Sequence, residues 1–182
     1  MKIAVFLSSR MGKSPALAEA ARACGAWLAE SGHELIYGGE DYGLMSVLAN
    51  SVRENGGRVV GVIPNLPLMM ANVHPDLSEY IYVPDMAERK QTMLKLAEGF
   101  LALPGGYGTL DEFSELLCEN RLSESARPLA LLNLNGFYEP FKAYVDNMLA
   151  EGLIDPEDMD TLRIAATLEE AAAFLEGFCK AV

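Results

Sequence analysis

The sequence predicts an α/β fold, a mostly parallel sheet with helices on both faces, and three observations carry that expectation. Short β-branched or aromatic runs alternate with longer stretches of helical spacing along most of the 182 residues,. The run from Arg58 to Ile63 is continuously Val-rich, as a strand buried on both faces of a parallel sheet should be,. Three polar or glycine-rich segments, Ser8 to Gly12, Gly38 to Gly43 and Pro104 to Thr109, each follow such a run. They therefore stand at the carboxyl ends of strands, where open parallel sheets bind ligands, and should converge on one crevice.

In chain order, Lys2 to Leu7 reads as a strand that ends in polar Ser8-Ser9-Arg10-Met11-Gly12, and an alanine-rich helix follows from about Pro15 to Ser31,. Glu34 to Tyr37 is a second strand, leading through Gly38-Gly39-Glu40-Asp41-Tyr42-Gly43 into a helix over Leu44 to Asn55. After the strand Arg58 to Ile63, regularity fades between Pro64 and Pro84. That segment holds four prolines and the apolar Leu66-Pro67-Leu68-Met69-Met70, and only Glu79 to Val83 reads as a strand; it is expected as a loop over or near the site,. A helix from Met86 to about Glu98 leads to a strand at Phe100 to Leu103, a glycine turn, and a helix from about Thr109 to Leu122. Leu129 to Asn133 is another buried strand, and helices follow over Tyr138 to Glu151 and Leu168 to Cys179. Strand and helix in alternation mean right-handed βαβ units, hence a three-layer, Rossmann-like arrangement. With no linker, repeat or low-complexity stretch, residues 1–182 are expected to form one nucleotide-binding domain,.

The net charge of -12, from 14 basic and 26 acidic residues, excludes binding through nucleic-acid phosphates, although a local basic pocket is compatible with it,. The apolar run at the N-terminus is too short for a signal-peptide core or a membrane span, so a cytoplasmic protein with no membrane partner is expected,. Cys24, Cys118 and Cys179 are odd in number and widely spaced, which suits neither a disulfide framework nor a metal site,. They read as reduced core thiols. His33, in a Ser-Gly-His-Glu turn, reads as a solvated histidine.

The chemistry concentrates in Pro104-Gly105-Gly106-Tyr107-Gly108-Thr109-Leu110-Asp111-Glu112. A glycine turn that follows a strand and opens a helix offers unpaired amides to an anion at close range. Thr109 adds a hydroxyl, as helix N-cap or as phosphate donor. The same spacing also describes a tight turn that binds nothing. It is neither the Gly-x-Gly-x-x-Gly dinucleotide fingerprint nor a Walker loop, which disfavours NAD binding and ATP hydrolysis. Glu112 lies one helical turn beyond Thr109, where a carboxylate suits chemistry on a sugar attached to a bound phosphate. A first-turn glutamate favoured by the helix dipole is the other reading. Arg89 and Lys90, at the start of the preceding helix, offer a fork for phosphate or leaving group, or else a solvated pair bonded to nearby acids.

Together these residues resemble the LONELY GUY (LOG) family of cytokinin riboside 5′-monophosphate phosphoribohydrolases, often described as possible lysine decarboxylases. Pro104 to Glu112 matches the family signature Pro-Gly-Gly-x-Gly-Thr-x-x-Glu in full, and the likeness runs from Val5 to Ile154. It includes Tyr37-Gly38-Gly39 with Gly43-Leu44-Met45, Gly61-Val62-Ile63-Pro64, and Met86 with Arg89-Lys90. The resemblance implies a homodimeric hydrolase that splits a nucleoside 5′-monophosphate, a cytokinin riboside monophosphate or an AMP-like one, into free base and ribose 5-phosphate. It places the catalytic arginine at Arg89 and the catalytic glutamate at Glu112. Gly105, Gly106, Gly108 and Thr109 take the phosphate turn, and Ser9, Gly39, Met86, Lys90 and Tyr107 are further expected substrate contacts. No metal or redox cofactor is implied. Decarboxylation would need a pyridoxal-phosphate lysine in a recognisable pocket, which neither the residues nor the chain length support. The alternative is a noncatalytic nucleotide-binding or sensor module of the same fold. The chain departs from the family pattern at Glu40 and Ser46, where glycines are usual, around Arg10, in the loop after Pro64, and at Glu119-Asn120-Arg121. These are positions that bear on the base.

Overall fold

The computed structural model describes residues 1–123 and 126–181, the side chains of 179–181 excepted; Cys179 is among these and lies outside the described residues. Seven strands are found among the described residues: β1 (Lys2–Phe6), β2 (Glu34–Tyr37), β3 (Arg58–Pro64), β4 (Glu79–Val83), β5 (Gly99–Ala102), β6 (Leu129–Leu132) and β7 (Leu162–Ala165). They form one sheet in the order β4-β3-β2-β1-β5-β6-β7. Every pairing is parallel. The chain winds outward from β1 to β4, then returns to the other side of β1 as β5. A topological switch point thus lies between β1 and β5, where the connections that leave neighbouring strands part to opposite faces and open a crevice.

The helices are α1 (Pro15–Glu30), α2 (Gly43–Glu54), a one-turn α3 (Pro67–Met70), α4 (Met86–Leu96), α5 (Tyr107–Leu122), α6 (Glu139–Ala150) and α7 (Leu168–Ala181). Alternation along the strands assigns each face its partners. Ile3, Val5, Leu35 and Leu101 point to one face, where Leu28 of α1, Leu48 of α2 and Leu175 of α7 close a core,. Ala4, Phe6, Ile36 and Phe100 point to the other, against Met93 of α4 and Phe113 and Leu116 of α5. The result is the expected three-layer fold, with the sheet parallel throughout. No helix among the described residues is long and apolar enough to cross a membrane.

Some local expectations are corrected. Strand β7 was not foreseen, because its four residues Leu-Arg-Ile-Ala carry a charge and make an edge strand that pairs with β6 alone. The loop after β3 carries the short helix α3. His33 is not solvated: its side chain is 9% exposed, bonded to Glu176 at 3.2 Å and set edge-on against Trp27. Cys24 is a core thiol, pushed up to about 12 by burial, whereas Cys118 is exposed on α5.

Candidate active site

At the carboxyl ends of β1, β2 and β5 a cleft of about 530 Å³ opens, lined by parts of all three polar segments: Ser8, Ser9 and Arg10; Glu40; and Gly106 to Thr109. The turn after β5 is anchored before it reaches the cleft. The Leu103 N–H donates to the Phe6 carbonyl at 2.9 Å, and the buried Tyr138 hydroxyl donates to the Leu103 carbonyl at 2.8 Å.

Helix α5 starts two residues earlier than its sequence suggests. Gly106, in extended conformation, is the N-cap, and its carbonyl accepts from the Leu110 N–H at 3.0 Å. Thr109 therefore lies inside the first turn and is not the cap. The N–H groups of Tyr107, Gly108 and Thr109 precede Leu110, the first intrahelical donor, so they remain at the positive end of the helix dipole for an anion,. A Cβ on Gly105 would fall 2.1 Å from Thr109 Oγ1; glycine lets the threonine fold back over the turn. The Tyr107 side chain, 92% exposed, stands at the rim.

The stripe of α5 that packs on the sheet comprises Thr109, Glu112, Phe113 and Leu116, so the helical repeat that buries Phe113 and Leu116 also buries the Glu112 carboxylate,. On α4, Arg89 precedes Met93 and Leu94 on the inward face, behind an Asp85 N-cap that accepts from the Glu88 N–H at 2.9 Å. Arg89 is 5% exposed and Glu112 9%. Arg89 Nη1 lies 3.6 Å from Glu112 Oε1 and 3.8 Å from Met86 Sδ, and the buried Nε has no hydrogen-bond partner. The guanidinium reaches this position by crossing Gly38, where a Cβ would stand 1.7 Å from Nη2.

Burial lifts Glu112 from the ordinary 4.5 to about 7, and Arg89 pulls it back only in part,. The half-buried Glu40 is also raised by desolvation, again against the pull of Arg89. Two carboxylates thus share one buried cation, and both hold their protons more tightly than in water.

The remaining expected contacts divide. Ser9 and Met86 line the cleft. Gly105 lies on a neighbouring cavity of about 370 Å³ with Phe113, Phe137 and Phe141, on the far side of the turn. Gly39, at φ +79°, backs onto Ile63 and Gly61 and shapes the loop from behind. Lys90 does not reach the cleft; it bridges α4 to α5 through Asp111 at 3.0 Å and Glu115 at 2.6 Å, and these carboxylates raise its pKa. Residues not singled out as contacts also line the cleft: Leu7, Arg10, Glu40, Met45 and Met69. All but Met45 and Met69 lie within or beside the strand-end segments, and Glu40 and Arg10 were visible as departures from a pattern. Met45 stood within the Gly43-Leu44-Met45 likeness without a role, and nothing in the spacing announced Met69. Among the described residues, no cluster of three or more His, Cys, Asp or Glu could hold a metal ion.

Residues 45–175 match the family described as possible lysine decarboxylase. Over 97% of its length the chain is 36% identical to the cytokinin riboside 5′-monophosphate phosphoribohydrolase LOG of Oryza sativa subsp. japonica, covering 73% of that protein. The chain belongs to the LOG family. Within that family it is 37% identical to the cytokinin riboside 5′-monophosphate phosphoribohydrolase of Rhodococcoides fascians, over 94% of this chain and 87% of that one. Among solved structures, that of TM1055 superposes with a TM-score of 0.73 at 27% identity, covering 97% of this LOG-family chain and 98% of its own. The molybdenum cofactor carrier protein of Chlamydomonas reinhardtii shares the fold, with a TM-score of 0.75 at 19% identity and 98% of both chains covered.

Proposed function

We propose that this protein hydrolyses the N-glycosidic bond of a nucleoside 5′-monophosphate, a cytokinin riboside monophosphate or an AMP-like one, to free base and ribose 5-phosphate. The observation that carries the reading is the buried Arg89–Glu112 pair one helical turn from the open amides of α5. The 5′-phosphate sits on the N–H groups of Tyr107, Gly108 and Thr109, with the Thr109 hydroxyl as a further donor, and this holds the ribose over Glu112. As the C1′–N bond lengthens, the ionised Glu112 faces the positive charge that develops on the sugar and takes a proton from the attacking water. Arg89 steadies the departing base, which leaves with the bond's electron pair and takes a proton from solvent, balancing the one that Glu112 removes from water and returns to solvent. Water supplies the hydroxyl of ribose 5-phosphate.

Because the phosphate does the positioning, the nucleoside alone should react poorly. The test is release of ribose 5-phosphate from AMP and from N6-substituted AMP, with adenosine as the control. Adenosine cleaved as readily as AMP, or a Glu112→Ala protein that keeps most activity, would refute the mechanism; tight binding with no turnover would favour a sensor.

The relatives' names support the substrate class. We also propose that residues 1–182 act in the cytoplasm as one nucleotide-binding domain. We further propose a homodimer. Exposed Leu122, Tyr144 and Leu153 lie on and beside α5 and α6, next to an apolar groove of about 360 Å³ between those helices,. Light scattering at several concentrations tests it, and a persistent monomer counts against it.

A further inference from the structure

The cleft contains an acidic side chain that the proposed reaction does not use. Glu40 lines it beside Met45 and Met69, and among the described residues its carboxylate has no hydrogen-bond or ion-pair partner. Its main chain is fixed from both sides. The Asp41 N–H donates to the Asn72 carbonyl at 2.7 Å, the His74 N–H donates to the Gly39 carbonyl at 2.9 Å, and Glu40 bridges Val73 between them. Ser46 adds a bond from its hydroxyl to the Asp41 carboxylate. A half-buried carboxylate on a backbone held this firmly, attracted by Arg89 but not hydrogen-bonded to it, is free to accept from a donor that arrives from outside,.

Sheet order identifies which part of the ligand arrives there. Glu40 follows β2 and the α5 amides follow β5, with β1 between them. At about 4.8 Å per strand the two loops stand roughly 10 Å apart, comparable to the span of a nucleoside monophosphate from phosphate to the far edge of its base. Phosphate belongs at the α5 end, where the unpaired first-turn amides and the positive end of the helix dipole are,. The thioethers of Met45 and Met69 next to Glu40 suit a flat aromatic surface.

On the basis of the nucleotide reading above, we propose that Glu40 determines base specificity by accepting a hydrogen bond from the exocyclic N–H of a 6-aminopurine. The nearby charged and titratable groups are Arg89 on α4, Glu112 and Asp111 on α5, Arg10 after β1, and Asp41 beside it.

The experiment compares AMP with purine ribonucleoside 5′-monophosphate, which lacks the 6-amino group and adds no bulk. Dissociation constants are measured by calorimetry on wild type, Glu40→Gln and Glu40→Ala, with kcat/KM alongside. Wild type should bind AMP about 10- to 100-fold more tightly. The preference should shrink in Glu40→Gln and fall towards one in Glu40→Ala. An unchanged ratio in both variants, a wild-type ratio near one, or variants that alter discrimination between AMP and 2′-deoxy-AMP instead would overturn it. Binding preference without turnover would sink the hydrolase reading and leave this one standing. Turnover without preference would do the reverse, and a protein that binds neither nucleotide would refute both.

Discussion

Glu112→Gln should make the protein more stable while abolishing its chemistry, and the gain should depend on pH. Glutamine copies the shape of the neutral carboxyl. Glu112 holds its proton up to about 7 in the folded protein against an ordinary 4.5. Between those values the folded chain binds more protons than the unfolded one, so stability falls as pH rises through the window. At about 1.4 kcal/mol per pH unit, the interval amounts to about 3 kcal/mol once pH exceeds 7. The carboxylate is almost wholly buried, so solvent screening takes little from that figure, which is a large share of a total stability of roughly 5–15 kcal/mol,. Wild type and variant should therefore match near pH 4.5 and diverge to about 3 kcal/mol near pH 8, worth about 6–12 °C in Tm for a chain of this size. Urea unfolding at fixed protein concentration, with matched m-values, reads the gap directly. The competing effect is attraction to Arg89. If it outweighed burial, the variant would lose ground to wild type as pH rose, and that result would refute the account of Glu112.

Three further outcomes follow from the same geometry. If Glu112 works ionised, kcat/KM for AMP should climb about tenfold per pH unit below 7 and level off above it; a profile that falls through 7 would make the protonated form the active one,. Gly38→Ala places a methyl 1.7 Å from Arg89 Nη2, so activity should drop by about 100-fold or more while circular dichroism stays native; unchanged turnover would mean the guanidinium position does not matter,. Peptide mapping after alkylation of the native protein should find Cys118 modified and Cys24 protected until denaturant is added; early labelling of Cys24 would contradict its burial.

The parts of this molecule that could be read from sequence are those in which one local rule dominates. Arg58 to Ile63 announced a central strand because both faces are covered, and the glycine turn announced the start of α5 because glycines after a strand mark where a helix opens. Strand β7 escaped notice because an edge strand has one neighbour and tolerates Arg163. His33 was misplaced because its partners, Trp27 and Glu176, come from α1 and α7, and no local pattern records that meeting. The division between Arg89 and Lys90 was hidden for a related reason. Adjacent residues on a helix point about 100° apart, and only the placement of α5 decides which of them turns into the cleft.

That division also bears on why the Arg89–Glu112 pair exists. An ion pair kept for stability should be short, satisfied at its remaining polar atoms, and should hold its carboxylate low. Lys90 with Glu115 is short at 2.6 Å, partly exposed, links the same two helices and raises the lysine in the direction that favours its charge, although Glu115 Oε2 is also buried without a well-formed hydrogen bond. Arg89 with Glu112 differs in its length, its burial and the direction of its carboxylate. The separation is 3.6 Å, Arg89 Nε is left without a partner, and the carboxylate rises instead of falling. Within one helix pair, then, the partly exposed bridge carries the structural task, and the buried pair is held in an arrangement that destabilises it. Perturbed, under-satisfied groups gathered at the switch point of a parallel sheet are what a site made to act on a ligand requires, and a purely structural contact would have been relaxed into the geometry that Lys90 already shows.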